Sequence, residues 1–378
     1  MNEQYMGTKD EALLPGRFVY DPLTADPDRY GDGSRCFQGI PGVERTEKGR
    51  LFYCFYTGGN DEGSGNFVML LRSDDNAASF RPVLAAEAPT EMTRTFDPCL
   101  WIDGEGRLWL FYAQSYTLFD GRVGVWAAVC EDPDADEIRF GEPRRIADGI
   151  MMNKPIVLRS GRWLLCCALW EGFRSEYNDL PDERFSNAVI SDDRGKTFRL
   201  IGHADYPDRW IDEPMAAELG DGRILMLIRG RHGIGQAFSD DEGATWSPGE
   251  DSGLGGPCSR FCLRRLKSGS LLLVNHHDFR GRNNLKAMLS KDDGNTWEGF
   301  LMIDERDDVS YPDVTEDDSG RIYIAYDRRR YDEKELLLAI VTEADILAGK
   351  PVTKDCRMKI VVNRAQGINR MRAAAPAV

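Results

Sequence analysis

Short apolar segments recur along the chain, and each one directly follows a polar turn that ends in glycine. The apolar segments read LFYCFY, LWLFYA, WLLCCA, ILMLIR, LLLVNH and IYIAYD. A further apolar segment, usually containing proline, lies a few residues upstream of each turn. The turn glycines are Gly49, Gly106, Gly161, Gly222, Gly269 and Gly320.

Successive glycines lie 57, 55, 61, 47 and 51 residues apart, a period close to that of a four-stranded propeller blade. Six repeats predict an all-β fold, a six-bladed β-propeller of four-stranded antiparallel blades. Because a propeller brings the innermost strand of every blade to one axis, equivalent positions of different repeats should converge on one site.

The repeat accounts for most of the 378 residues, so we expect a single domain over 1–378 with blades over roughly 35–349. The segment 336–341, LLLAIV, predicts a late strand. TEADILAG from Thr342 predicts a capped turn of helix, the only helix that we expect. The sequence leaves open which terminus closes the ring.

A second motif is a polar turn that reads SDDRGKTF, SDDEGATW and SKDDGNTW, with weaker copies from Ser73 and Glu131. In such a turn Ser and Asp side chains bond backbone amides and Gly adopts the left-handed conformation. We expect these turns between the second and third strands of the blades. They resemble the Asp-box or BNR repeats of the sialidase (neuraminidase) superfamily, and this resemblance also implies a six-bladed propeller.

Composition narrows the range of partners. The net charge of −15 argues against a nucleic-acid surface, and no apolar run approaches the roughly 20 residues of a membrane span. The first residues carry no secretion signal, which predicts a cytoplasmic protein that acts on short oligosaccharides taken up by the cell. The nine cysteines form no CxxC pair, so we expect reduced thiols, no metal site and no cofactor. The oligomeric state is not readable from the sequence.

One position of each inner strand carries the candidate chemistry. Counting nine residues back from the turn glycine, or to the residue before Pro155 in the shorter third blade, gives Ile40, Asp97, Lys154, Glu213, Arg260 and Tyr311. Five of the six are polar or ionisable inside otherwise apolar segments. If they face the axis, an acid, a base, cations and a phenol meet in one pocket, as expected of a functional site.

The resemblance to sialidases implies roles for several of these residues. The family's Glu lies in a segment like NExxxxELxDGRLLMNxR, and DEPMAAELGDGRILMLIR matches it with Glu213 and Arg229. The family's nucleophilic Tyr precedes the last strand turn, where this chain has Tyr311 in SYPDV. A phenol paired with a carboxylate suits attack on an anomeric centre that carries a negative charge.

A second family arginine corresponds to Arg282, with Arg280 as the alternative; paired guanidinium groups would bind a carboxylate. The family's first arginine, in FRIP, is replaced here by FQGIP, which places Gln38 and Gly39 at that point. Arg35 or Arg260 are candidates to stand in for it.

The acid/base residue has two candidates, Asp97 on its inner strand and Asp61 beside Glu62 in a Gly-rich loop. Loop residues expected at the rim of the site include His277 and Trp210, which precedes Glu213. With these residues, the resemblance to sialidases implies an exo-acting glycoside hydrolase that removes a terminal acidic sugar from an oligosaccharide or glycoconjugate. A uronic-acid lyase and a non-catalytic glycan-binding propeller are the alternatives.

Overall fold

The computed structural model describes residues 9–117, 120–170 and 180–369. Its strands form six antiparallel sheets, which confirms the predicted six-bladed propeller. The strands of the first three blades are β1 (Arg17–Tyr20), β2 (Gln38–Arg45), β3 (Leu51–Thr57), β4 (Phe67–Ser73), β5 (Arg81–Glu87), β6 (Thr93–Ile102), β7 (Leu108–Tyr116), β8 (Asp120–Cys130), β9 (Arg144–Asp148), β10 (Ile156–Val157), β11 (Trp163–Ala168), β12 (Ser186–Ser191) and β13 (Arg199–Ala204).

The last three blades contain β14 (Met215–Glu218), β15 (Ile224–Arg229), β16 (Ile234–Ser239), β17 (Glu250–Asp251), β18 (Cys262–Arg265), β19 (Leu271–His276), β20 (Leu285–Ser290), β21 (Glu298–Asp304), β22 (Val309–Glu316), β23 (Arg321–Arg328), β24 (Glu335–Thr342) and β25 (Arg357–Arg364). The helices are α1 (Pro22–Ala25), α2 (Pro27–Tyr30) and α3 (Glu343–Ala348), with 3-10 turns at Lys9–Leu13 and Pro181–Glu183. No helix in the described ranges is long and apolar enough to cross a membrane.

Every blade is built from strands that are consecutive in the chain, so among the described strands no blade is shared by the two chain ends. Strand β1 pairs with β5 and adds a fifth strand to the first blade, and β25 is the outer strand of the sixth. The strands therefore reach from Arg17 to Arg364, beyond the predicted limits of 35–349. The six turn glycines join the first and second strands of each blade, and all have positive φ.

The helix prediction was right for α3 and incomplete elsewhere. Thr342 and Asp345 form a reciprocal capping box at the start of α3. The sequence did not predict α1 and α2, because four residues are too short to show helical periodicity. Both begin with proline at an early helical position, and the Asp26 side chain caps α2 by accepting a hydrogen bond from the Arg29 amide.

The Asp-box turns lie between the third and fourth strands of their blades, and the prediction of the second and third was wrong. They follow β4, β12, β16 and β20, because the strand after each turn glycine is the second strand. In the turn after β12, Ser191 accepts from the Gly195 amide at 2.8 Å and Asp193 accepts from the Thr197 amide and hydroxyl at 2.8 and 2.6 Å. The weaker copy from Ser73 closes in the same way, with the Ala77 amide donating to Ser73 at 3.1 Å.

The inner strands are β2, β6, β10, β14, β18 and β22, and most neighbours among them are in contact, from β10 through β14, β18, β22 and β2 to β6. Two of the predicted site residues, Lys154 and Arg260, form buried ion pairs with residues of the inner strands. The Lys154 Nζ lies 3.0 Å from Glu44 and 3.1 Å from Asp313, and Arg260 lies 3.4 Å from the other oxygen of Asp313. Burial disfavours the charge on Lys154, but Asp313 and Glu44 outweigh burial and raise the pKa of this amine. This cluster ties the inner strands together across the ring.

Replacing Lys154 by Met should lower the free energy of unfolding by about 3–5 kcal/mol, because two buried carboxylates lose their common cation. Urea unfolding followed by tryptophan fluorescence measures this change. The matched control is Lys267→Met, since Lys267 pairs with Asp318 where both side chains are more than half exposed. We expect the control to cost under about 1 kcal/mol. Equal losses in the two variants would contradict a stabilising axial cluster.

Candidate functional site

One cavity of about 390 Å³ on the ring collects most of the polar residues predicted from the inner strands. Tyr311, Glu213, Asp97, Arg229 and Arg282 all line it. The other lining residues are Ile40, Tyr56, Glu62, Arg94, Phe96, Trp170, Ile211, Asp308, Ser310, Arg329, Arg330, Tyr331 and Asp332. A second cavity of about 400 Å³ lies against Lys154 and Asp313 and contains none of the predicted catalytic residues.

Irregular inner strands turn three side chains toward this cavity. Ile40, Asp97 and Tyr311 occupy the same position of β2, β6 and β22, and the strand register shifts at each of them. All three have left-handed φ values, 56°, 47° and 56°. Left-handed backbone is unfavourable for residues with a Cβ and clusters at functional sites, and bulges re-aim the side chains of a strand. The shared conformation therefore marks these positions as built for the cavity.

The centre of the cavity is a hydrogen-bonded trio of Tyr311, Glu213 and Arg229. The Tyr311 hydroxyl donates to Glu213 Oε1 at 2.6 Å, and Arg229 Nη1 donates to the same hydroxyl at 3.0 Å. Arg229 Nη1 also lies 2.7 Å from Glu213 Oε1. All three residues are buried, and Glu213 Oε2 has no hydrogen-bond partner among the described residues. The phenol is thus held between a base and a cation.

The environment keeps the Tyr311 phenol protonated near neutral pH. Burial is the main cause of a pKa of about 12, the charge of Glu213 adds to it, and the nearby arginines oppose it. The phenol can lose its proton only as it reacts, and Glu213 Oε1 is the atom placed to accept that proton. Burial disfavours the charge on Arg229, but Glu213, Tyr311 and Cys258 together raise the pKa of this guanidinium above its ordinary value.

Arg282 adds a second cation beside the phenol. Its guanidinium carbon is 5.4 Å from the centroid of the Tyr311 ring. Arg282 and Arg229 both donate to the carbonyl oxygen of Cys258 at 3.1 Å, which fixes the two side chains next to each other. Within the described ranges no carboxylate forms an ion pair with Arg282, so its charge is available to an anionic ligand.

Arg330 brings a third cation that sequence reasoning missed. Its guanidinium carbon lies 4.1 Å from the centroid of the Tyr311 ring. It belongs to the loop between β23 and β24, in the segment DRRR, where no motif distinguishes one arginine from its neighbours. Arg94, which also lines the cavity, was missed as well, because residues three apart on a regular strand face opposite sides of the sheet.

The structure separates the two candidate acid/base residues. Asp97 is buried in the cavity, and burial is the main reason that its pKa rises to about 7; Arg94 opposes the rise and Glu213 adds to it. Asp61 is exposed on its loop and does not line the cavity. Its neighbour Glu62 does, and accepts a hydrogen bond from the Tyr331 hydroxyl at 3.0 Å. Asp97 is therefore the candidate with the position and the pKa of a general acid.

Three of the predicted binding residues do not line the cavity, namely Lys154, Arg260 and Gln38. The polar groups of all three are bound by other residues of the protein. Lys154 and Arg260 belong to the axial ion-pair cluster. Gln38 is fully buried, accepts from Arg35 at 2.6 Å and donates to the Lys334 carbonyl at 2.6 Å, so it joins the first blade to the sixth. Arg35, a candidate for the missing arginine, is occupied by this contact and does not line the cavity.

His277 and Trp210 are also absent from the cavity lining. His277 lies in a separate cavity of about 280 Å³, where its ring is 4.8 Å from that of Phe300. Trp210 stacks with Arg231, whose guanidinium carbon is 4.0 Å from the centroid of the Trp210 ring. The described residues contain no group of three or more His, Cys, Asp or Glu side chains that could hold a metal ion.

A six-bladed ring with Asp-box turns and this axial pocket defines a sialidase-like propeller. The family model described as "BNR repeat-like domain" matches residues 49–324, and the chain belongs to that family. No curated protein matches the chain.

Solved structures with the same fold include several sialidases. The Hadza microbial sialidase Hz136 superposes with a TM-score of 0.64 at 20% identity, over 79% of this chain and 64% of that one. The intramolecular trans-sialidase of Ruminococcus gnavus gives 0.66 at 12% identity, over 89% and 99% of the two chains. The Trypanosoma rangeli sialidase in complex with sialic acid gives 0.62 at 14% identity, over 83% and 55%. At these identities the likeness establishes the fold alone.

The raised pKa of Asp97 should make stability depend on pH. An unfolded Asp ionises near pH 3.9, whereas folded Asp97 ionises near 7, so its contribution is lost as pH rises between these values. Relative to Asp97→Asn, the wild-type free energy of unfolding should fall by on the order of 2 kcal/mol between pH 5 and 7, measured by urea titration.

The Asp-box residue Asp75 provides a control of opposite sign. Hydrogen bonds from Ser79, and then from Ser73, lower its pKa to about 2, so its contribution is lost only at more acidic pH. The difference between wild type and Asp75→Asn should therefore stay constant between pH 5 and 7. A constant difference for Asp97→Asn would show that Asp97 does not ionise near neutrality.

Proposed function

We propose that the protein is an exo-acting glycoside hydrolase that removes a terminal acidic sugar from an oligosaccharide. The observation that carries this proposal is the buried trio in which the Tyr311 hydroxyl donates to Glu213 at 2.6 Å and accepts from Arg229 at 3.0 Å. A binding site needs no phenol that donates to a buried carboxylate oxygen. A nucleophile does, because its proton must leave as it attacks.

In the first step the Tyr311 oxygen attacks the anomeric carbon while its proton passes to Glu213. The bond to the leaving oxygen breaks, and protonated Asp97 supplies the proton that the leaving group needs. Arg229 stabilises the phenolate character that develops on the attacking oxygen. The products are a glycosyl–tyrosine intermediate and the shortened oligosaccharide.

In the second step Asp97, now a carboxylate, takes a proton from water as the water oxygen attacks the anomeric carbon. The bond to the Tyr311 oxygen breaks, and Glu213 returns the proton to the phenol. Two successive displacements at one carbon retain its configuration. Asp97 is suited to both steps, since a group with a pKa of about 7 exchanges its proton readily near neutrality.

The positive charges support an acidic sugar as the substrate. A sugar carboxylate placed above the Tyr311 ring would meet Arg229 and Arg282, whose donors are anchored side by side on the Cys258 carbonyl. Such a substrate would repel an anionic nucleophile, whereas a neutral phenol approaches it without that penalty. Sialic acid is the ligand of the structurally similar T. rangeli enzyme and is the first substrate to examine.

The Tyr311→Phe variant should lose at least about 10³-fold in kcat on the best acidic aryl glycoside, because the attacking oxygen is gone. Its melting temperature should stay within a few degrees, since the ring and its packing remain. Activity is measured on a panel of acidic and neutral aryl glycosides with mass detection of the released sugar.

The matched control is Tyr20→Phe, which also removes one phenolic hydroxyl. Tyr20 donates to a carbonyl on the edge of the second blade, at Phe140, and does not line the cavity. It should keep full activity. Unchanged turnover in Tyr311→Phe would refute the proposed nucleophile. An unsaturated sugar product would indicate a lyase, and binding without product would indicate a glycan-binding protein.

A further inference from the structure

The side chain of Arg330 occupies space that any larger residue at position 39 would fill. A Cβ added to Gly39 would lie 2.7, 2.8 and 2.9 Å from Cδ, Nε and Cγ of Arg330. These separations are shorter than carbon contacts allow, so the two side chains exclude each other. Gly39 does not have the positive φ that would itself demand glycine. The absence of a side chain at Gly39 instead leaves room for Arg330 of the sixth blade.

Contacts on both sides hold Arg330 in this space. Its Nε donates to Asp327 Oδ2 at 2.8 Å, and its Nη2 donates to the Ser310 hydroxyl at 3.2 Å. The same oxygen of Asp327 accepts from the Ile40 amide at 2.8 Å, which ties β2 to the anchor of the arginine. One carboxylate thus positions both the guanidinium and the inner strand of the first blade.

The seam between the first and sixth blades also fixes the loop that carries Arg330. The backbone N–H of Gln38 donates to the Arg330 carbonyl at 3.3 Å. The side-chain amide of Gln38 donates to the Lys334 carbonyl at 2.6 Å. Gln38 therefore acts on the cavity indirectly, through the position of the loop. The contacts that join the first blade to the sixth therefore also position Arg330.

One end of the Arg330 guanidinium remains available to a ligand. Its Nη1 makes no hydrogen bond to a described residue, and its contact with Glu62 is a long ion pair of 3.6 Å that a closer carboxylate could compete with. Arg330 and Arg282 both lie near the Tyr311 ring, at 4.1 and 5.4 Å from its centroid, and Arg229 contacts the hydroxyl of the same ring. Three guanidinium groups thus converge on the residue proposed to attack the sugar.

We propose that Arg330 is the third arm of an anion clamp with Arg229 and Arg282, that it binds the carboxylate of the substrate, and that Gly39 is required to admit it. The arm comes from the sixth blade instead of the first, where the resemblance to sialidases led us to expect it. The substrate class rests on the proposed function, but binding of a carboxylate does not require turnover.

The test measures binding rather than catalysis. Isothermal titration compares N-acetylneuraminate and glucuronate with their methyl esters, which lack the negative charge, on the wild type, Arg330→Ala, Gly39→Ala and the double variant. For at least one sugar, the wild type should bind the acid at least about tenfold more tightly than its ester. Arg330→Ala should weaken binding of that acid by about 10–100-fold and leave the ester unchanged, because a charge-assisted hydrogen bond is lost.

Gly39→Ala distinguishes the proposed packing from a general effect of removing charge. It should weaken acid binding like Arg330→Ala, and the double variant should be no weaker than Arg330→Ala alone, because the methyl acts only by displacing the arginine. Controls are Gly33→Ala, where an added Cβ meets nothing within 4 Å, and Arg199→Ala on the exposed edge strand β13. Circular dichroism checks that every variant is folded.

The outcomes separate this inference from the proposed function. Loss of carboxylate preference in Arg330→Ala supports the clamp even if the wild type hydrolyses no glycoside of the panel. The clamp is overturned if the wild type does not prefer either acid over its ester, or if Arg330→Ala keeps the preference, even when Tyr311-dependent hydrolysis is intact. Additive losses in the double variant would overturn the role of Gly39.

Discussion

Charge pairing across the blades is the constraint on which the centre of this ring depends. The inner strands bury many ionisable side chains near the axis, and a buried charge is costly unless an opposite charge lies beside it. Asp313 forms ion pairs with Lys154 and Arg260, which compensate the charges in one part of the axis. Two residues earlier on β22, Tyr311 faces the cavity, where Glu213 has one oxygen engaged and the other without a hydrogen bond. Satisfied and unsatisfied groups thus divide the axis into a structural part and a reactive part.

The same principle explains the mixture of charges in the cavity. Glu213 and Arg229 compensate each other, and Asp97 avoids an uncompensated charge by remaining protonated until the pH approaches about 7. Arg282 has no carboxylate partner among the described residues. An anionic ligand would therefore complete a charge balance that the protein leaves open, which is the physical basis for the proposed acidic substrate.

The repeat made much of the site predictable. Equal spacing from the turn glycines located Tyr311, Glu213 and Asp97, because the period fixes which residues lie at the same height of the ring. The same count located Arg260, and the residue before Pro155 gave Lys154, yet these side chains form ion pairs with residues of other blades. The sequence period carries no information on such partners, nor on the bulges that turn Asp97 and Tyr311 toward the cavity. The direction of a side chain depends on local backbone that was visible only in the structure.

Residues outside the repeat were less predictable. Arg330 follows a strand end in a loop, and its place beside Tyr311 depends on a glycine far away in the chain, at position 39. The departure from the sialidase pattern at FQGIP was readable, but not its consequence, since packing between the first and last blades links the two positions. A missing side chain in one repeat can thus be answered by a new one in another.

The most direct measurement of the proposed chemistry is covalent trapping with a fluorinated analogue of the acidic sugar that carries a good leaving group. Fluorine beside the anomeric centre slows the second step, so the glycosyl–enzyme should accumulate. We expect intact-mass and peptide analysis to find one glycosyl unit on Tyr311 and none in Tyr311→Phe. An adduct on Glu213, or efficient turnover of the parent glycoside with no adduct on Tyr311, would contradict it.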